Sequence, residues 1–405
     1  MSDPASISPP ECLSVAPPRR LHLRLSVLMF LQFAVLGAFI PLFSVHLKDG
    51  LGFGPLRLAW VYATPALAML VSPLAMGQFA DRWFAAERCQ AVCAFLAGVL
   101  LWVLADLREP VAVFTVSLAV WLVLQPAVAL GTTICLTHLA APEQEFSRVR
   151  LWGTLGWVVP GWLLLGWFSY RAVSELADAL RLASLLAFTL SAYALTLPHT
   201  PPARRVTTWL APLAAFQLLR GRAFAVYCGC ALGVWMTIPF TSQVTPLLLK
   251  AIGIPRAWLS PTLTIAQSME IVALALLPML ILRLGVRGTM LLGLIAWTMA
   301  LTILALGQPV WLVVASQTLN GLFICCFAVA GQVFVNRKAR GDIRASAQAL
   351  LAFTTGLGML TGNLLVGCIR DLVDEAFPPT FAVGAAIALV LAVVFFAGFT
   401  DDETA

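Results

Sequence analysis

The stretch Trp258–Leu284, WLSPTLTIAQSMEIVALALLPMLILRL, is long enough to cross a bilayer as a helix and carries one carboxylate, Glu270, near its middle. Ser260, Thr264, Gln267 and Glu270 follow at spacings of four, three and three, which puts them on one helical face. The rest of the stretch is mostly Leu, Ile, Val, Ala and Met. A charge at mid-bilayer costs between ~3 and ~10 kcal/mol, depending on how far water and lipid relax around it. Glu270 therefore requires a partner or a wet cavity, and the remaining chain has to build it.

The composition supports that reading. Of 405 residues, 60% are hydrophobic and only 11% charged, too few charges to cover the water-facing surface of an ordinary soluble domain. Apolar runs of roughly 20 residues recur along the chain, the pattern of a polytopic all-α membrane protein. Residues 1–20 are Pro- and Ser-rich and read as a disordered tail rather than a cleaved signal peptide. Spans are predicted near Leu25–Leu47, Arg57–Ala80, Cys89–Ala105, Val111–Leu139, Arg148–Ser169 and Asp178–Leu197. After a Pro- and Arg-containing connector they resume near Arg222–Lys250, Trp258–Leu284, Gly288–Leu306, Val310–Val335, Arg344–Ile369 and Phe377–Phe399. The expected organisation is a six-helix bundle over 21–197, a connector over 198–220 and a second six-helix bundle over 221–400, about twelve helices in all.

Seventeen of the 25 Lys and Arg residues fall on the side of the N-terminus and eight on the other, so both termini and the connector are expected in the cytoplasm. The net charge of +6 then reflects topology rather than a nucleic-acid partner, and no basic stripe interleaved with aromatics appears. The nine cysteines lie mostly inside apolar runs and form no zinc-type pairs, so neither metal nor cofactor is expected. No HExxH, G-x-S-x-G or P-loop motif points to an enzyme. The halves echo each other: Ile40-Pro41 and Ile238-Pro239 stand late in the first and seventh spans, followed by Leu47-Lys48 and Leu249-Lys250. Two like-oriented halves imply a pseudo-twofold axis along the membrane normal.

Gly77-Gln78-Phe79-Ala80-Asp81-Arg82 ends the second span, and its G-x-x-x-D-R pattern resembles the signature of the major facilitator superfamily. There Gly77 permits close helix contact, and Asp81 and Arg82 can bridge to a neighbouring helix end in one transport state; the simpler reading is a charged loop turn. Four further segments resemble the nucleoside:proton symporters of that superfamily: Leu25–Phe33, Val149–Trp157 with its R-x-W-G-T-x-G-W pattern, Gln267–Glu270 as Q-x-x-E, and Ile343–Gln348 as I-R-x-S-A-Q. The resemblance covers most of the chain. It implies alternating-access transport of nucleosides with protons, in a fold that can act as a monomer.

The residues fit such a site physically. Arg150, Thr154 and Trp157 recur at i, i+4 and i+7, placing a cation, a hydroxyl and an aromatic face on one stripe. Trp157 is suited to stack on a nucleobase or to pack helices; Arg150 is suited to a ligand or to an interfacial anchor. Gln267 offers donor and acceptor together, and Glu270 can accept from ribose hydroxyls, or the two form a structural buried pair. Gln243, late in the seventh span, stands where the family has site amides, beside Pro239 and Pro246, which are expected to disturb the helix.

The tenth span departs from the family. Where the resemblance implies H/Y-G-x-x-F/Y-D-F-F, the chain reads Asn320-Gly321-Leu322-Phe323-Ile324-Cys325-Cys326-Phe327, with Ile324 for the aromatic and Cys325 for the acid. A neutral thiol does not titrate as a carboxylate does. Proton coupling then falls to Glu270, or the protein is a uniporter or exporter of another small solute such as a sugar, metabolite or drug. Arg outnumbers Lys by 22 to 3, which hints at a GC-rich bacterial genome and an inner membrane.

Overall fold

Apolar backbone in a bilayer has no water to bond, so a chain of this composition satisfies its N–H and C=O groups within helices. The computed structural model describes residues 19–83, 85–139, 142–171, 175–201, 220–338 and 344–400, and no strand occurs among them. The first half contains α1 (Arg19–Val45), which runs into a π-helical turn at His46–Gly50, then α2 (Pro55–Trp83), α3 (Ala86–Asp106), α4 (Pro110–His138), α5 (Pro142–Tyr170) and α6 (Asp178–Ala194). The second contains α7 (Arg222–Ala251), α8 (Arg256–Leu263), α9 (Ile265–Leu306), α10 (Val310–Ala315) and α11 (Gln317–Phe323). A π-helical turn at Ile324–Val329 follows, then α12 (Ala330–Lys338), α13 (Arg344–Leu372) and α14 (Phe377–Gly398). Nine described helical stretches are long and apolar enough to cross a membrane. One of them, Arg256–Leu306, breaks at Gly285 and supplies the eighth and ninth spans; α2 and α6 complete the twelve.

Local chemistry sets the boundaries. Glu109 caps α4 by accepting the Ala112 N–H at 2.6 Å, and Pro110 opens the helix where no N–H is needed. Gly285, at φ 69° and ψ 174°, interrupts α9, and Gly307, at φ 67°, ends it in the left-handed conformation. Four details differ from the sequence reading. Arg19 and Arg20, assigned to the tail, already belong to α1. The fifth span starts at Pro142, ahead of Arg148, because the polar segment before it is helical too. The seventh continues unbroken through Pro239 and Pro246. The eighth divides at Thr264, three residues after Pro261. Of the expected connector, residues 202–219 lie outside the described set.

The described ends, Arg19 and Thr400, lie on one face of the bundle, the terminal face; the loops after α1, α3, α5, α7 and α13 lie on the opposite, distal face. Helix α1 packs on α5 and α6, α3 on α4 and α6, and α2 on α4; in the second half α7 packs on α13 and α14, and α9 on α11 and α14. The halves meet along α2 and α13 and between α5 and α8. Lipid chains are as apolar as leucine, so close approach of backbones at small residues carries much of this packing. A Cβ on Gly156 of α5 would fall 2.1 Å from the Phe30 carbonyl oxygen of α1, and one on Gly37 of α1 would fall 2.2 Å from the Trp157 carbonyl oxygen. The second half repeats the device: Gly358 and Gly362 of α13 face the carbonyls of Leu232 and Met236 of α7, at 2.5 and 2.1 Å. The internal repeat is therefore visible as matching glycine contacts.

Gly156→Leu is expected to destabilise the protein by at least ~1–3 kcal/mol, the usual cost of overpacking. Gly166→Leu, on the same helix with open space at its Cβ position, should leave the thermal unfolding midpoint in detergent within a degree or two of wild type.

Candidate functional site

The stripe on α5 faces α1. The Arg150 guanidinium lies 4.0 Å above the Phe33 ring, a cation–π contact that holds the long side chain in place. Gly153, one turn on, lets both groups close on the helix: a Cβ there would meet Phe33 at 2.7 Å and Arg150 Nη1 at 2.8 Å. Thr154 is buried and Trp157 half-buried, with the Trp157 backbone fixed against Gly37. Cation, hydroxyl and indole thus share a helix whose position is set by glycine contacts.

The polar face of α8 and α9 stands opposite. Thr264 donates its hydroxyl to the Pro261 carbonyl at 2.7 Å and caps the join of the two helices. The Ser260 hydroxyl and Gln267 Oε1 are buried without a hydrogen-bond partner. Glu270 is half-buried, and the opposite charges of Arg150 and Glu270 interact across the gap between the halves without a direct ion pair. Among the described residues, it is the carboxylate at mid-span. The unpartnered Gln267 oxygen and the two unbridged charges are polar groups that a solute could satisfy.

The tenth span closes this wall. Gly321 presses on the turn Ala266–Glu270, where a Cβ would fall 2.1 Å from the Ala266 carbonyl oxygen and 2.8 Å from the Glu270 nitrogen. Phe323 stacks on Trp297 at 4.4 Å and Phe327 on Phe323 at 6.0 Å, while Trp297 donates from Nε1 to the Thr237 hydroxyl at 2.7 Å. The π-helical turn, a local widening often found at functional sites, starts directly after Phe323 and contains Phe327. It holds Cys325, fully buried beside the equally buried Cys326. Asn320 and Ile324 are half-buried on the same segment.

The structure therefore brings Arg150 and Thr154 on α5, Gln267 and Glu270 on α9, and Cys325 on the π turn into facing elements. Gln243 is placed differently. It is 1% exposed and bonds through Nε2 to Asn363 Oδ1 in the α7–α13 interface. Gly77, Asp81 and Arg82 fall on α2, in a part whose side chains are not described, and Ile343 of the eleventh-span motif lies outside the described residues. Phe33 and Gly321 are the residues that sequence reasoning missed as site residues. Phe33 has an aromatic ring but no spacing pattern, and Gly321 has no side chain to notice. Among the described residues no group of three or more His, Cys, Asp or Glu is arranged to hold a metal ion.

Comparisons with known proteins agree with this architecture. A family model described as nucleoside H+ symporter matches residues 19–404. The chain is 30% identical over 404 residues to the xanthosine permease of Escherichia coli (strain K12), covering 94% of this chain and 96% of that protein. It is 26% identical to the nucleoside permease NupG of the same organism, again over 94% and 96%. The crystal structure of nucleoside transporter NupG superposes with a TM-score of 0.83 at 25% identity, covering 94% of this chain and 99% of that one. A POT family transporter shares the fold alone, with a TM-score of 0.78 at 12% identity. The chain belongs to the nucleoside H+ symporter family.

Proposed function

We propose that this protein carries nucleosides across a bacterial inner membrane together with protons, by alternating access of the bundles 21–197 and 221–400 about the connector 198–220, with both termini cytoplasmic. The observation that carries the reading is Glu270 at mid-span, facing Arg150 across the two halves without an ion pair. A carboxylate crosses hydrocarbon only when neutralised, and here two neutralisers compete for it: a proton and the Arg150 guanidinium. A solute bound between the two charges changes which one prevails, and that is the physical content of coupling.

In this reading Trp157 stacks on the base, Thr154 and the free Gln267 oxygen bond its polar edge, and Glu270 accepts from the ribose hydroxyls. Asn320 and Ile324 border the ligand, and Gln243 contributes once its bond to Asn363 exchanges. Gly77, Asp81 and Arg82 act at the cytoplasmic end as the conformational motif, and the protein works as a monomer. Cys325 supports a second reading, transport without proton coupling, because the thiol stands where the family resemblance implies an acid.

Proteoliposomes distinguish the two. Wild type is expected to accumulate labelled uridine under an inward proton gradient, and Glu270→Gln to abolish accumulation while retaining exchange. Full pH-driven accumulation by Glu270→Gln would remove that residue from the coupling role. Uptake by wild type only down the uridine gradient, becoming proton-driven in Cys325→Asp, would establish the second reading. Trp157→Ala should weaken uridine binding in a calorimeter by ~1–3 kcal/mol, the usual worth of one stacked base, and Trp157→Phe should retain most of it.

A further inference from the structure

The repeat-related lysines at the distal ends of the first and seventh spans each reach into the other half. Lys48 pairs with Glu375, in the loop after α13, and Lys250 Nζ lies 2.5 Å from Asp49 Oδ2, in the π-helical turn that ends α1. The two bridges have unequal surroundings. Glu375 is also held by Arg370 at 3.4 Å, and the space enclosed by Lys48, Phe53, Gln243 and Arg370 is about 10 Å³, hardly a single water. Beside Lys250 lies a cavity of about 390 Å³, within the range of small-molecule sites.

That cavity is lined by three carboxylates, Asp49, Asp106 and Glu175, three cations, Arg108, Lys250 and Arg256, and by His46. The charges balance, which suits an uncharged polar solute. Arg181 ties down Asp106 at 2.8 Å and Glu175 at 3.7 Å, and Arg256 rests 4.8 Å over the Phe168 ring. Both His46 ring nitrogens and Arg256 Nε and Nη2 are buried without partners. One turn after Arg256, α8 meets α5 of the other half: a Cβ on Gly161 would fall 2.5 Å from the Ser260 hydroxyl, and Trp162 meets Trp258 edge-on at 6.2 Å. Ser260 on α8 stands ten residues before Glu270 on α9.

We infer that the cavity beside Lys250 is the external entrance for solute and that the Lys250–Asp49 bridge is its gate, while the Lys48–Glu375 contact, whose carboxylate Arg370 also neutralises, contributes little to closure. The asymmetry has a direct cause: Arg370 belongs to the same half as Glu375 and keeps that carboxylate neutralised when Lys48 lets go, whereas among the described residues Lys250 and Asp49 pair only with each other. The inference rests on the transport reading and on the distal face being external.

Ser260→Cys provides the test, labelled with a membrane-impermeant maleimide added outside intact cells, with the protein lacking that substitution as background. Ser260 is buried, so labelling reports opening. Adding Lys250→Gln or Asp49→Asn is expected to speed labelling about two- to fivefold, the population shift that loss of one partly exposed ion pair allows. The exchanged pair Asp49→Lys with Lys250→Asp should restore the slow rate, and Lys48→Gln should change it less than twofold. Unchanged labelling in Lys250→Gln, or an equal rise in Lys48→Gln, would overturn the inference. The labelling needs no solute, so a protein that failed to carry nucleosides would still report the gate.

Discussion

An ionised carboxylate inside a hydrocarbon slab has to be compensated at every moment, and Glu270 is compensated only partly. Arg150 interacts with it from the opposite half but does not close on it. Each group is independently held: Arg150 by the Phe33 ring, and Glu270 by the turn against which Gly321 packs. The fold can thus be read as a frame that keeps two opposite charges near each other and apart. Closing the gap would give a buried ion pair, which tends to be inert; widening it would strand two charges at several kcal/mol each. The intermediate arrangement is the one a solute or a proton can change.

The frame owes its accuracy to glycines rather than to large side chains. Gly37, Gly156, Gly358 and Gly362 bring backbones together to distances that no Cβ would permit. In lipid, where burial of apolar side chains gives little preference for one helix neighbour over another, such contacts specify which helices touch and at what depth. They also explain how two halves of little evident sequence likeness keep one architecture: the contacts α1–α5 and α7–α13 depend on where a side chain is missing.

Much of the fold was legible in the sequence because hydropathy responds to the bilayer itself. The fourth, seventh and twelfth spans were each placed to within a residue at either end. The prolines of the seventh were expected to disturb it and do not, since neighbouring helices hold the backbone around Pro239 and Pro246. That Arg150, Thr154 and Trp157 fall on one helix and Gln267 and Glu270 on another was legible from helical spacing. Gln243 was not, because an amide that bonds another amide looks in sequence the same as one that awaits a ligand. Nor were the distal bridges, since Lys48–Glu375 joins residues 327 positions apart and no periodicity carries that information.

The break at Gly285 has a mechanical meaning. The eighth and ninth spans share a one-residue joint, with no loop between them to absorb movement. Beyond the joint, Trp297 stacks on Phe323; two residues before Phe323, Gly321 presses back on the turn that carries Glu270. The path from Glu270 through Gly285, Trp297, Phe323 and Gly321 returns to its start, forming a closed linkage of stiff members. Such a linkage moves as a unit or not at all. A shift of the carboxylate that bears the charge is therefore also a shift of the tenth span, and the chemistry at one atom acquires the leverage of three helices.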